Sequence, residues 1–260
     1  MGALTHAPAA RPRAAGLRVA ALRELWRHRR SWQLPVPRAL MRRERDRLLS
    51  ALIPAIVVVA AMAGYLLFVM LPTALDDAHL AALTVLWPAW VVQAAPLVAA
   101  LLLSLWRAPA LALELAQRQQ RGEFVALAQI GSSPAVYPCL PMLVAHAAVA
   151  AAASTLMIAL SLLTGFAAAL ALGVGDLRRT ADAMFSLVSP VDCVRSPVFA
   201  ALLGLLCSLA VTLYAWPGTQ NASAGLAAQR LGVRAMGVSA AVTIAAAVLL
   251  NLVMGWLLPR

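Results

Sequence analysis

Five stretches of this chain carry no charged side chain over a length that can cross a bilayer. They are Leu48–Leu71, Leu80–Trp106, the 44 residues Ser132–Gly175, Pro197–Trp216 and Ala235–Leu258. A helix needs about 20 apolar residues to cross a hydrocarbon core. Inside that core each backbone amide must bond within its own segment, so spans of this kind fold as helices. Composition agrees: 63% of the residues are hydrophobic and 12% charged, against roughly 45–50% and 25% in soluble domains. The expected fold is an all-α polytopic membrane protein with about five transmembrane helices. The expected spans are 48–71, 80–106, 140–172, 197–216 and 235–258. The long third run exceeds one crossing at ~1.5 Å per residue. Pro134, Pro138 and Pro141 cluster at its start, so one long helix from near Leu140 is expected, and six spans if it crosses twice.

Charge is distributed unevenly. All 21 basic residues are arginine, and twelve of them precede Leu48. Residues 1–16, rich in Ala, Pro and Arg, are expected to be a disordered basic tail. Residues 17–47 are expected to form an interfacial amphipathic helix and a basic linker. Leu17, Val19, Leu22, Leu25, Trp26 and Trp32 alternate there with arginines, the pattern of a helix lying in the headgroup layer. Pro35 and Pro37 are expected to break it. With five spans and a cytoplasmic N-terminus, arginines divide 17 inside to 4 outside, the bias that orients membrane proteins. Six spans give the same placement of the N-terminus. Trp26, Trp32, Trp87 and Trp90 are read as membrane anchors. The basic arm leads into a span and carries no nucleic-acid motif, so no nucleic-acid partner is expected.

Several chemistries are excluded. A phosphate-binding loop of the Walker type needs a lysine, and the chain has none. HExxH, GxSxG and CxxC are absent. Cys139, Cys193 and Cys207 are widely spaced and read as small apolar fillers, with no metal site implied. No signal peptide is expected, because about 47 mostly polar residues precede the first apolar run. His146 and Gln93 lie inside spans, where polar groups bond between helices or face a cavity.

The charged patch between the second and third spans reads RAPALALELAQRQQRGEFVALAQIGSSPAVYPCLP. Glu114, Gln117, Arg118 and Arg121 share one helical face. Leu111, Leu113, Leu115, Phe124 and Leu127 can hold that helix against the membrane body. Gly122 can bend it and Gly131 can end it. A polar-faced helix over about 110–131, projecting into the cytoplasm, is what a membrane subunit needs to dock a cytosolic motor.

This patch resembles the signature of MlaE-type (YrbE-type) permeases, the membrane subunits of phospholipid ABC transporters. Pro96, Glu114-Leu115, Ala126-Leu127, Gly131, Pro134, Tyr137 and Pro141 match without a gap. Farther on, Asp192, Ser196, Val198 and Phe199, then Gly225 and Arg234-Ala235, extend the similarity, which is collinear from about residue 17 to 257. The chain departs from the family pattern over Ser104–Pro109 and at Ala116, Gly122, Glu123, Val125 and Ser133. The resemblance implies an inner-membrane permease of bacteria that moves phospholipid between inner and outer membranes and maintains outer-membrane lipid asymmetry. It implies a second permease copy as homodimer partner, a periplasmic MCE-domain protein and a cytosolic ABC ATPase subunit. The chain itself would bind no cofactor, and ATP would be hydrolysed by the partner. The ATPase would grip the 110–131 helix through Glu114, Gln117, Arg118, Arg121, Glu123, Leu127 and Gly131. Gln93 and His146 would be contacts to the lipid cavity. A non-transporting membrane scaffold is the alternative. An intramembrane lipid enzyme is the remaining class, and no pair of catalytic side chains within the spans supports it.

Overall fold

A computed structural model describes residues 35–75, 78–131, 139–173, 177–218 and 226–257, with positions 23, 26, 27 and 137. All described elements are helical. Five helices are long and apolar enough to cross a membrane: Pro37–Leu75, His79–Gln120, Leu140–Leu172, Pro190–Ala215 and Gln229–Leu252. The described part of the third uncharged run is therefore a single helix, long enough for one crossing. The expected tail, most of the interfacial helix and Trp32 lie outside the described residues.

Helix α1, Pro35–Tyr65, begins well before the apolar run. Proline fits at a helix start, where the missing N–H has no intrahelical partner. Residues 35–47 are thus helical and continuous with the first span, which corrects the expected linker. The span continues through a π turn, Leu66–Met70, into α2, Leu71–Leu75. The second span is α3, His79–Ala89, a π turn over Trp90–Ala94, and α4, Ala95–Gln120. Pro88 lies just ahead of that π turn. Its ring removes one backbone donor, and a π turn re-registers the ladder after such a break.

Gly122 takes a left-handed conformation (φ 72°) and separates α4 from the short α5, Glu123–Gln129. The third span is α6, Leu140–Leu172, closed by Gly173 at φ 65°. Then come α7, Leu177–Leu187, α8, Pro190–Gly218, and α9, Leu226–Leu257. The last two helices start earlier than expected from charge, because a helix does not end where its side chains become polar.

At the charged end, Leu111 and Leu115 of α4 pack with Leu143 of α6, Val211 of α8 and Leu231 of α9. Mid-span, Leu52 and Ile56 meet Leu103, Val149 and Met157. At the far end Phe68, Leu83, Trp87, Val91 and Met184 form a further cluster. Trp87 is buried in it, which corrects its expected role as an anchor. Trp90 is partly buried, and its indole Nε1 has no hydrogen-bond partner.

With lipid outside and no hydrophobic drive between spans, small and polar side chains hold the helices together. Ser104 Oγ of α4 lies 2.9 Å from Cys207 Sγ of α8 and 3.2 Å from Thr243 Oγ1 of α9. Cys207 Sγ lies 2.8 Å from Ser239 Oγ. Cys207 is therefore a bridge between three helices and more than a filler. Ser154 and Ser196 join α6 to α8 at 3.1 Å.

Candidate functional site

The charged patch after the second span folds differently from the single helix expected over 110–131. Residues 110–120 complete α4 and are half internal: Leu111, Ala112, Leu115 and Ala116 are buried. The chain then turns sharply. Arg121 N donates to the Gln117 carbonyl at 3.0 Å, and Gly122 N to the Gln119 carbonyl at 3.0 Å. Only the positive φ of Gly122 lets α5 leave at this point. Gly131, at φ 74°, follows the end of α5.

Glu114 and Arg118 meet as the i, i+4 spacing requires, with Arg118 Nη2 donating to Glu114 Oε1 at 2.8 Å. The other oxygen of Glu114 accepts from Arg107 Nη2 at 2.9 Å. Arg107 Nε donates in turn to Glu44 Oε1 of α1 at 2.8 Å. The chain of charges Glu44, Arg107, Glu114 and Arg118 thus ties the helical base of the first span to the end of the second. Its inner members are enclosed: the side chain of Arg107 is 6% exposed and that of Glu44 13%. Arg118 reaches toward Glu123 at 4.0 Å and Arg121 toward the same carboxylate at 3.9 Å.

Glu114 is therefore a structural member and not a free docking group. What the corner presents outward is Gln117, Arg121 (side chain 71% exposed) and the apolar side chains Val125 and Ile130. Leu127 is half-buried and Gly131 exposed. Sequence reasoning missed Glu44 and Arg107 as members of the site, and Val125 and Ile130 as its exposed apolar part. Arg107 carried a signal, an ionisable residue next to an uncharged run, but nothing in the sequence named its partner 63 positions away.

His146 and Gln93 separate. His146 is buried in α6 with Nδ1 2.6 Å from the Met142 carbonyl oxygen. The α6 backbone there also lies close to Gly204, where an added Cβ would stand 2.8 Å from the His146 carbonyl oxygen. His146 is enclosed at the α6–α8 contact. Gln93 is exposed, on the π turn of the second span. Close by, a groove of about 510 Å³ is lined by Leu66, Met70, Leu86 and Trp90 among others. Trp26 is 70% exposed.

Fold and site together define a polytopic helical membrane protein whose spans are tied by an ionic chain beside an exposed helical corner. The family model Permease MlaE matches residues 43–256, and the chain belongs to that family. Membership places it among the membrane subunits of ABC-type permeases. No curated protein sequence matches it.

Proposed function

We propose that this chain is the permease subunit of a phospholipid ABC transporter in the bacterial inner membrane. Its N-terminus is cytoplasmic, and it acts as a homodimer with a cytosolic ATPase below and an MCE-domain protein above. The transporter moves lipid between the inner and outer membranes and so maintains lipid asymmetry. The chain binds no nucleotide and no cofactor, and ATP is hydrolysed by the partner. The observation that carries this reading is the α4–Gly122–α5 corner within a permease-family chain. It offers an exposed cation, Arg121, and two exposed apolar side chains, Val125 and Ile130, on the end that bears the arginines. Gln117 and Leu127 belong to the same docking face, while Glu114, Arg118 and Glu123 set its shape. Gln93 supports the dimer and the cavity, because an amide on a lipid-level surface is costly unless something polar meets it. The adjoining groove, apolar except for the Trp90 indole, suits an acyl chain.

The test is purification of the tagged protein in mild detergent with mass spectrometry of what accompanies it. An ABC ATPase is expected to copurify. Arg121→Glu combined with Ile130→Asp is expected to lower its recovery about tenfold, with no change in the elution volume of the permease. Recovery of the permease alone under conditions that keep such complexes intact would favour the scaffold. Unchanged ATPase recovery in the double variant would move the docking face elsewhere.

A further inference from the structure

A second feature of the charged end is a cavity of about 340 Å³ where α1, α4 and α6 meet, lined by Leu40, Arg43, Glu44, Arg47, Glu114, Arg118, Pro141 and Met142. Its two carboxylates are already engaged. Glu44 accepts from Arg107, and Glu114 from Arg107 and Arg118. Arg43 and Arg47 are different. They stand one helical turn apart on α1 and line the same cavity. Among the described residues neither has a carboxylate within ion-pairing distance. Four guanidiniums, counting Arg107 behind the wall, face two carboxylates, which leaves two positive charges without a counter-ion.

Among the described residues no carboxylate pairs with Arg43 or Arg47. Residues 1–34 hold seven arginines and one carboxylate, Glu24. The acidic residues outside the described segments are otherwise Asp76, Asp77 and Asp176, which follow the first and third spans in sequence. Arg47 directly precedes the first uncharged run, so the cavity opens at headgroup level. A guanidinium binds phosphate through two parallel hydrogen bonds, and basic pockets between spans on the cytoplasmic side take anionic headgroups. Leu40, Pro141 and Met142 add an apolar wall against which a glycerol backbone can lie.

We propose that this cavity binds the phosphate of an anionic phospholipid through Arg43 and Arg47. The lipid is a resident of the leaflet at the basic end and sits against α1 beside the ionic chain. The site is separate from the groove assigned to transported lipid. Naming the leaflet cytoplasmic rests on the proposed orientation. Binding in detergent does not, so the two can fail independently.

Native mass spectrometry of the full-length protein in mild detergent reads the site directly. Cardiolipin adducts are expected to exceed phosphatidylcholine adducts at least tenfold at equal lipid concentration. Arg43→Gln with Arg47→Gln is expected to bring cardiolipin down to the phosphatidylcholine level. Arg38→Gln with Arg42→Gln removes the same charge from the same helix at exposed positions outside the cavity lining, and is expected to leave cardiolipin binding within twofold. Both pairs are exposed, so the unliganded thermal midpoint is expected to stay unchanged. Cardiolipin adducts that persist in the Arg43/Arg47 variant would overturn the site. Equal loss in both variants would also overturn it, in favour of a diffuse basic surface. Displacement of cardiolipin by millimolar inorganic phosphate would overturn the lipid as ligand and assign the same arginines to a free anion.

Discussion

Arg107→Ala is expected to destabilise the protein by about 3 kcal/mol, the largest loss of any single charged residue among the described residues. The reason lies in what remains. Arg107 is nearly enclosed and donates to Glu44 and Glu114 at once. Without it Glu44, 13% exposed, keeps no cation among the described residues, and a buried charge without a partner is costly. Glu114 keeps Arg118 at 2.8 Å and some solvent, which limits the loss on that side. Thermal or denaturant unfolding in detergent measures the change. The companion variant carries Glu44→Gln, Arg107→Met and Glu114→Gln together. It removes the charges as a set, and such replacement is often near neutral, so most of the stability is expected to return. A single variant within about 0.5 kcal/mol of the parent, the scale of an exposed ion pair, would show that the network is solvated and holds nothing. Copurification of an ATPase with the triple variant adds a functional reading. If the chain of charges positions the corner, recovery falls although stability does not.

Spans were legible in the sequence because the bilayer imposes a requirement that composition alone can meet or fail. An uncharged run such as Leu48–Leu71 has no other stable fate in that solvent. Helix ends were not legible in the same way. Residues 35–47, 107–120 and 190–196 carry charge, yet they continue their helices, because polarity reports the solvent around a helix and not its backbone ladder. The glycine at 122 was legible as a bend, since only a left-handed residue lets two helices meet there. The Glu114–Arg118 pair followed from i, i+4 spacing. The link from Arg107 to Glu44 did not, since it joins residues 63 apart and depends on how α1 lies against α4. Trp87 shows the limit of residue-type arguments. Tryptophan is enriched at bilayer interfaces, but Leu83, Met184 and Val91 enclose this one. Its partners come from α3, α7 and the π turn that follows α3, and no periodicity in one segment identifies them.

Gly64→Leu is expected to cost about 3 kcal/mol, the upper range for overpacking a close-packed contact. The contact between α1 and α6 is the most extensive between any two helices. It narrows most where Gly64 faces Gly165. A Cβ on Gly64 would collide with the Ser161 carbonyl oxygen and stand 2.8 Å from both Gly165 N and Thr164 Oγ1. A Cβ on Gly165 would strike the Phe68 ring and lie 2.9 Å from the Gly64 carbonyl oxygen. Most of these neighbours are backbone atoms, so relief requires the helices to separate rather than a side chain to rotate. Separation would also disturb the Phe68–Phe166 pair, whose ring centroids are 4.5 Å apart. Small residues that let backbones approach are the main adhesive available between spans in lipid, and moving the helices apart forfeits dispersion along their whole length. Gly64→Ala introduces the first of the clashing atoms and is expected to cost about 1–2 kcal/mol. Gly237 provides the control. It lies on α9 with no atom within 4 Å of an added Cβ, so Gly237→Leu is expected to change the detergent unfolding midpoint little. Equal midpoints for the Gly64 and Gly237 variants would mean that α1 and α6 do not approach at glycine distance. The order expected is Gly237→Leu near the parent, Gly64→Ala below it and Gly64→Leu lowest, because at Gly64 each step adds volume where mainly backbone stands opposite.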